Sequence, residues 1–224
     1  MKTQIFLVTT LSALVVIGSG CSCCGRATAD TASRSGTPRE RRLFDGKTFA
    51  GWEGDTKKTW RIENGAIVGG SLQEKIPHNE FICTTAQFTN FVLHVKFKLV
   101  GTGDFNNGGV QFRSQRIPNH FEVSGYQADM GDGWWGCLYD ESRRNKVLVK
   151  PDPAVIEKAL KRNEWNDYEV CCEGDHIQIR LNGAITVDYH EDDPKIPQSG
   201  ILGFQIHGGG PAEASYKDIV IQEL

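Results

Sequence analysis

The residues best equipped for chemistry crowd into positions 106–150. Asn106, Asn107, Gln111, Arg113, Glu122, Gln127, Asp129, Trp134, Trp135, Tyr139, Asp140, Glu141, Arg143 and Arg144 sit there among glycines. Strand alternation over 108–115 predicts Gln111 and Arg113 on one side, opposite Val110 and Phe112. Over 120–130, Glu122 and Ser124 share a side opposite Phe121 and Val123. A bulge at Gly125 would return Gln127 and Asp129 to that side. Near the C-terminus, Gln205 and His207 share a side opposite Leu202, Phe204 and Ile206. Gln and Arg offer forks of donors and acceptors that suit sugar hydroxyls, and the carboxylates and imidazole can move protons. A tryptophan at the rim would cover the apolar face of a sugar ring. Ordinary solvent faces of amphipathic strands are the plain alternative. Those faces are typically built from Lys, Thr and Ser, so three strands rich in Gln, Arg and carboxylate favour a site.

Two other features look chemical and are set aside. Gly101-Thr102-Gly103 follows a strand pattern but lacks the third glycine and the following helix of a dinucleotide loop. Glu191-Asp192-Asp193 precedes a proline and reads as a solvated turn rather than a calcium site.

The elements that must position these residues are strands. Phe91, Leu93, Val95, Phe97 and Leu99 alternate with His94, Lys96 and Lys98, and Ile177, Ile179 and Leu181 alternate in the same way. Asn64-Gly65 and Asn182-Gly183 sit between such runs and predict type I′ hairpins. Further strands are expected at 59–63, 66–70, 108–115, 120–130, 167–173, 184–190, 200–207 and 214–223. One helix is expected, capped by Asp152, opened by Pro153 and continuing from Ala154 to Lys161. About a dozen short strands and one brief helix imply an antiparallel sandwich.

Composition agrees. The chain has 224 residues, 25 Lys+Arg against 28 Asp+Glu, and 39 % hydrophobic residues. It has no basic surplus for nucleic-acid phosphates. The 25 glycines exceed the usual share of roughly 7 %, as many tight chain reversals require.

Residues 1–20 read as a secretory signal: Lys2, an apolar run from Ile5 to Ile17, then Gly18-Ser19-Gly20. Cys21 follows as in a bacterial lipobox, so we expect an exported, membrane-anchored lipoprotein with its lipid on Cys21. Cleavage after Ala27-Thr28-Ala29 and free secretion is the alternative. Residues 21–42 read as a lipidated, flexible linker, and the folded domain is expected over 43–224. Of the seven cysteines, Cys83, Cys137, Cys171 and Cys172 fall in the domain without metal-site spacing, and buried free thiols are expected.

Several segments in order carry a family likeness. These are Leu43-Phe44-Asp45-Gly46-Lys47 with Gly51-Trp52, then Trp60, NGGVQFR from Asn107 to Arg113, and EVSGYQAD from Glu122 to Asp129. GCLYDESRRN from Gly136 to Asn145, Trp165-Asn166, Leu181-Asn182-Gly183 and Gln205-Ile206-His207 continue the series. The chain resembles the 3-keto-disaccharide hydrolase domain family over 43–224. Phe204 departs from the smaller aliphatic residue expected there, which touches packing only. The resemblance implies an all-β, concanavalin/laminin-G-like antiparallel jelly roll. It also implies a substrate class, oxidised (3-keto) sugars or glycosides. A ketone at the third carbon acidifies the proton at the second. A base can remove it, a cation or Arg can hold the enolate, and the aglycone then leaves the first carbon.

On that reading Glu122, Asp129 and His207 are the candidate catalytic residues. Gln111, Arg113, Gln127, Trp135, Tyr139, Asp140, Arg144 and Gln205 are candidate substrate contacts, and His120 is held in reserve. No nucleotide cofactor is needed. A divalent cation held by carboxylates and His207 would serve the enolate, but no spacing assigns its ligands. The rival reading is a non-catalytic carbohydrate-binding module of the cell envelope, and a purely structural lipoprotein is the third.

Overall fold

The computed structural model describes residues 40–101 and 106–224. The expected signal segment, Cys21, Cys23, Cys24 and most of the Gly101-Thr102-Gly103 loop therefore lie outside the described residues.

Two antiparallel sheets enclose one core. Sheet one runs β13 (Ala184–His190), β12 (His176–Leu181), β11 (Asn166–Glu173), β6 (Phe91–Gly101), β15 (Ala212–Glu223), β4 (Ala66–Ser71), β3 (Trp60–Glu63). The short β1 (Glu40–Arg42) also pairs with β15. Sheet two runs β10 (Lys146–Val149), β9 (Leu138–Glu141), β8 (Val123–Gly131), β7 (Asn107–Arg116), β14 (Gly200–Ile206), β5 (Glu80–Phe88), β2 (Trp52–Glu53). The helix α1 (Pro153–Ala159) stops two residues short of the sequence expectation, with Asp152 Oδ1 accepting from Ala154 N at 2.8 Å as its N-cap. The sandwich with one short helix stands as read.

Alternation decides which side chains meet. Phe91, Leu93, Val95, Phe97 and Leu99 all enter the core, as do Ile177, Ile179 and Leu181. From sheet two come Val110 and Phe112, then Tyr126, Ala128 and Met130, then Leu202, Phe204 and Ile206. Phe204 lies between Trp52 (centroids 5.2 Å apart) and Tyr216 (4.1 Å), so its larger ring bridges the two sheets. Both expected hairpins form with positive φ at each central residue: Asn64 49° and Gly65 74°, Asn182 49° and Gly183 84°. Cys83, Cys137, Cys171 and Cys172 are buried free thiols.

Glu40–Arg42, read as the end of the linker, is a strand instead. Its three side chains are exposed and charged, which is why it reads as linker. Backbone pairing with β15 and an Arg41–Glu223 ion pair at 3.0 Å hold it.

Candidate functional site

The outer face of sheet two carries the polar residues. Opposite its core positions, β7 presents Gln111, β8 presents Gln127 and Asp129, β9 presents Tyr139 and Glu141, and β14 presents Gln205. Registration brings them together: Gln111 pairs with Gly203 and with Gln127, and Gln127 pairs with Tyr139. If this were an ordinary solvent face, these side chains would be exposed. Gln111 and Gln205 are instead 0 % exposed, Gln127 2 % and Asp129 3 %.

Hydrogen bonds lock the floor. Gln111 Nε2 donates to Gln127 Oε1 at 2.6 Å, and Ser114 Oγ donates to Gln111 Oε1 at 2.9 Å. Asp129 Oδ1 accepts from Asn107 Nδ2 at 3.1 Å and from Met130 N at 2.8 Å. Gly109 permits this layer, because a Cβ there would lie 2.4 Å from Gln127 Cδ.

Above the floor stand two further carboxylates. Glu122 precedes β8 in a turn where Ile117 N donates to its carbonyl at 3.4 Å. Its Oε1 accepts from Asn79 Nδ2 at 2.9 Å, while its Oε2 is buried with no hydrogen-bond partner among the described residues. Glu141 Oε2 accepts from Gln205 Nε2 at 3.2 Å, and Gln205 Oε1 is likewise buried and unpartnered. Two orphaned buried acceptors on one face are what a ligand carrying hydroxyl donors would satisfy.

Burial dominates the electrostatics. It pushes the Glu141 carboxyl up to about 7, with the Glu122 charge the next cause. Glu122 is also raised by burial, partly offset by the Asn79 hydrogen bond and by His120, His207 and His78. Burial lifts Asp129 well above the usual carboxylate range, against the Asn107 bond. His207 adjoins the face, its Nδ1 2.7 Å from Gly208 O. Gly208 N in turn donates to Asn79 Oδ1 at 3.0 Å, so Asn79 ties His207's neighbour to Glu122. Phe121 is stacked between His78 (4.0 Å) and His120 (4.3 Å) beside Glu122. Trp134 is 40 % exposed and meets Tyr139 edge-on at 5.8 Å, forming the aromatic rim.

The structure thus assembles Gln111, Glu122, Gln127, Asp129, Tyr139, Gln205 and His207, and leaves out four expected contacts. Arg113 is turned away by a bulge in β7, where Phe112 pairs with Tyr126 and Gln115 with Ser124. Arg113 and Ser114 together oppose Gly125, so the bulge predicted at Gly125 lies on the partner strand. With φ 45°, Arg113 donates instead to Thr89 O (2.7 Å), Gly174 O (2.7 Å) and Asn90 Oδ1 (3.2 Å). Asp140 points to the opposite side of β9 from Glu141 and is fully buried between Arg143 and Arg144. Arg144 continues to Glu191 at 2.6 Å, and Glu191 accepts from Tyr126 Oη at 2.5 Å. Both belong to a buried brace under the sheet. Trp135 enters the core against Phe97 at 6.4 Å.

Glu141 and Trp134, both from the 106–150 stretch, and Asn79 join this face although none is among the expected catalytic or substrate contacts. Period-two alternation carried the signal for Glu141, since it must share a side with Tyr139. Asn79 sits in an aperiodic turn and left none. Nor do the carboxylates and His207 of this face form a metal-ligating cluster: among the described residues, the one such group lies on the other sheet. A cavity of about 790 Å³ beside α1, lined by Trp135, Ile156, Leu160, Lys150 and Arg162, also lies apart from these carboxylates.

Known proteins place this architecture. A 3-keto-disaccharide hydrolase of Bacteroides thetaiotaomicron is 26 % identical over 171 residues, 66 % of this chain. The match spans 57 % of that relative's length. A proposed glycosyl hydrolase of Parabacteroides distasonis superposes with TM-score 0.61 at 21 % identity, covering 83 % of this chain and 94 % of its own. The carbohydrate-binding module CBM66 from Bacillus subtilis superposes with TM-score 0.57 at 16 % identity, covering 77 % and 96 %. These likenesses are of fold. Residues 39–222 match a single family, and the chain belongs to the 3-keto-alpha-glucoside-1,2-lyase-like domain family.

Proposed function

We propose that the protein cleaves glycosides already oxidised to a ketone at the third sugar carbon, on the outer face of sheet two. The observation that carries this reading is the Glu122–Glu141 pair. These are two half-buried carboxylates with raised pKa, one of them near 7, on a hydrogen-bonding floor. Such pairs divide acid and base duties at neutral pH.

Ionised Glu122 takes the proton from the second carbon. The C–H electrons form a carbon–carbon double bond to the third carbon, and the ketone oxygen becomes an enolate. Protonated Glu141 and the Tyr139 hydroxyl, on the same face, donate hydrogen bonds to that oxygen. They take the part that Arg113 and Arg144 had been expected to play. When the enolate collapses, the carbonyl re-forms, a double bond forms between the first and second carbons, and the aglycone oxygen leaves with its electron pair. His207 or the newly protonated Glu122 returns the proton to it. Water added to the first carbon completes net hydrolysis. Gln111 and Gln127, buried and bonded to each other, fix the floor beneath the sugar, and Trp134 covers the ring.

A non-catalytic sugar binder would use the same orphaned acceptors but has no need of carboxyls tuned toward neutrality. The test is to incubate the protein with 3-keto-glycosides and their unoxidised parents. Aglycone release from the keto forms alone, reduced at least ~100-fold in Glu122→Gln, is expected. Tight binding of the parent sugars without turnover of either form would establish the binder instead.

A further inference from the structure

The chemistry of sheet two leaves a second cluster unexplained, on the opposite side of the molecule. The β12–β13 hairpin ends sheet one, and its inward positions Ile177, Ile179 and Val187 fill the core. Its outward positions are His176, Gln178, Asp188 and His190. His176 stands directly opposite His190 in the register, and Gln178 opposite Asp188. Directly opposed side chains start about 5 Å apart at Cβ, and Asp188 and His190, two residues apart, share a face.

The geometry points to a divalent transition-metal site on this hairpin, with His176, His190 and Asp188 as ligands and Asp175 orienting His190. The ligand atoms of the three residues all lie within 4.8 Å of one another. Among the described residues, no other group of three or more His, Cys, Asp or Glu side chains does this. The imidazoles are parallel, 4.4 Å apart with 8° between planes, so they are already stacked on a common side. His176 Nε2 is 2.7 Å from Asp188 Oδ1, and His190 Nδ1 is 3.4 Å from Asp175 Oδ1. A carboxylate on the far nitrogen of a histidine is the usual device for aiming a metal-binding ring. Zinc holds nitrogen and oxygen ligands at about 2.0–2.2 Å, so ligand atoms must close to roughly 3.5 Å. Asp188 and His190 are exposed and can make that adjustment by rotamer change.

Charge favours the same reading. Two imidazoles face two carboxylates, and a dication would balance the carboxylate charge. Imidazole and carboxylate together suit zinc, nickel or copper rather than magnesium or calcium, which prefer all-oxygen shells. Three protein ligands leave a coordination position for water. A bound ion would also clip edge strand β13 to β12, closing the sheet margin.

The experiment uses the untagged, chelator-treated chain and zinc chloride, followed by titration calorimetry and thermal unfolding. One zinc per chain with micromolar affinity and a rise in melting temperature are expected. Both should be lost in His190→Gln and in His176→Gln, weakened in Asp188→Asn, and retained in His207→Ala. Nickel chloride should reproduce the pattern. No binding by the wild type, or binding that survives both histidine substitutions on the hairpin, overturns the site. Cleavage of the keto-glycoside should be the same in wild type and His190→Gln, so this test is independent of the proposal for sheet two.

Discussion

Glu141 concentrates the site's electrostatics in one proton. Its carboxyl titrates at about 7 in the folded chain against roughly 4.3 for a free glutamate. Folding therefore binds a proton between those values, and stability falls as pH rises through that window. Glu141→Gln removes the buried charge. It should raise the melting temperature relative to wild type at pH 8 and change it little at pH 5, as thermal unfolding at both pH values would check. The activity prediction follows from the same group. The proposed cleavage requires Glu122 ionised and Glu141 protonated, so the rate should fall on the alkaline side with a midpoint near 7. That limb should vanish in Glu141→Gln, which keeps a donor at every pH. Arg113 shows the opposite case, a charged residue in a structural role. Its guanidinium ties Thr89, Asn90 and Gly174 together. Arg113→Ala should cost about 3 kcal/mol by stranding buried acceptors, measured by denaturant unfolding, with KM for the keto-glycoside unchanged under conditions where the variant is folded.

At the scale of elements, the bulge in β7 decides which side chains reach the site. Gly125 faces the two bulged residues, and a Cβ there would lie 2.2 Å from Ser114 Oγ and 2.6 Å from Ser114 Cα. Gly125→Ala should destabilise by about 1–3 kcal/mol through overpacking. It should also lower activity in the folded fraction by disturbing the Ser114–Gln111–Gln127 chain, to be read from denaturant curves beside kinetics. The strands themselves were legible because alternation and Asn-Gly turns are local signals. Phe91 to Leu99 and Ile177 to Leu181 needed nothing beyond period two. Less legible was the side on which a residue falls after an irregularity. A one-residue bulge inverts the assignment of everything beyond it, which is why Arg113 was read onto the site. Asp140 and Arg144 were chosen for charge type, whereas period two selects Tyr139 and Glu141. The strand β5, whose Thr84-Thr85-Ala86-Gln87 breaks the apolar alternation, was not anticipated. The role of Asn79 depends on a contact with a residue 43 positions away, beyond the reach of any local pattern.

For the whole molecule, the two sheets divide the labour. Sheet two presents the carboxylates, and sheet one takes in the N-terminal strand β1 and carries the histidine hairpin. We propose that the chain is exported and tethered by a lipid on Cys21, the reading the Gly18-Ser19-Gly20-Cys21 segment supports. Cys21→Ala should then move the protein from the membrane fraction to the soluble fraction. Mass spectrometry finding an unmodified mature N-terminus at Asp30 would establish free secretion.

Trp134 has an optical consequence. Of the five tryptophans, Trp52, Trp60 and Trp135 are buried and Trp165 is half-buried beneath Lys98 and Lys217, whereas Trp134 is exposed beside Tyr139 at the rim of the carboxylate face. Water-contacting indoles emit at longer wavelength than buried ones, so the red edge of the emission band should belong largely to this residue. A sugar ring laid over it should shift that edge to the blue and shield it from acrylamide quenching. Trp134→Phe should erase the response. The face would then report its own occupancy in real time, before any bond in the ligand is broken.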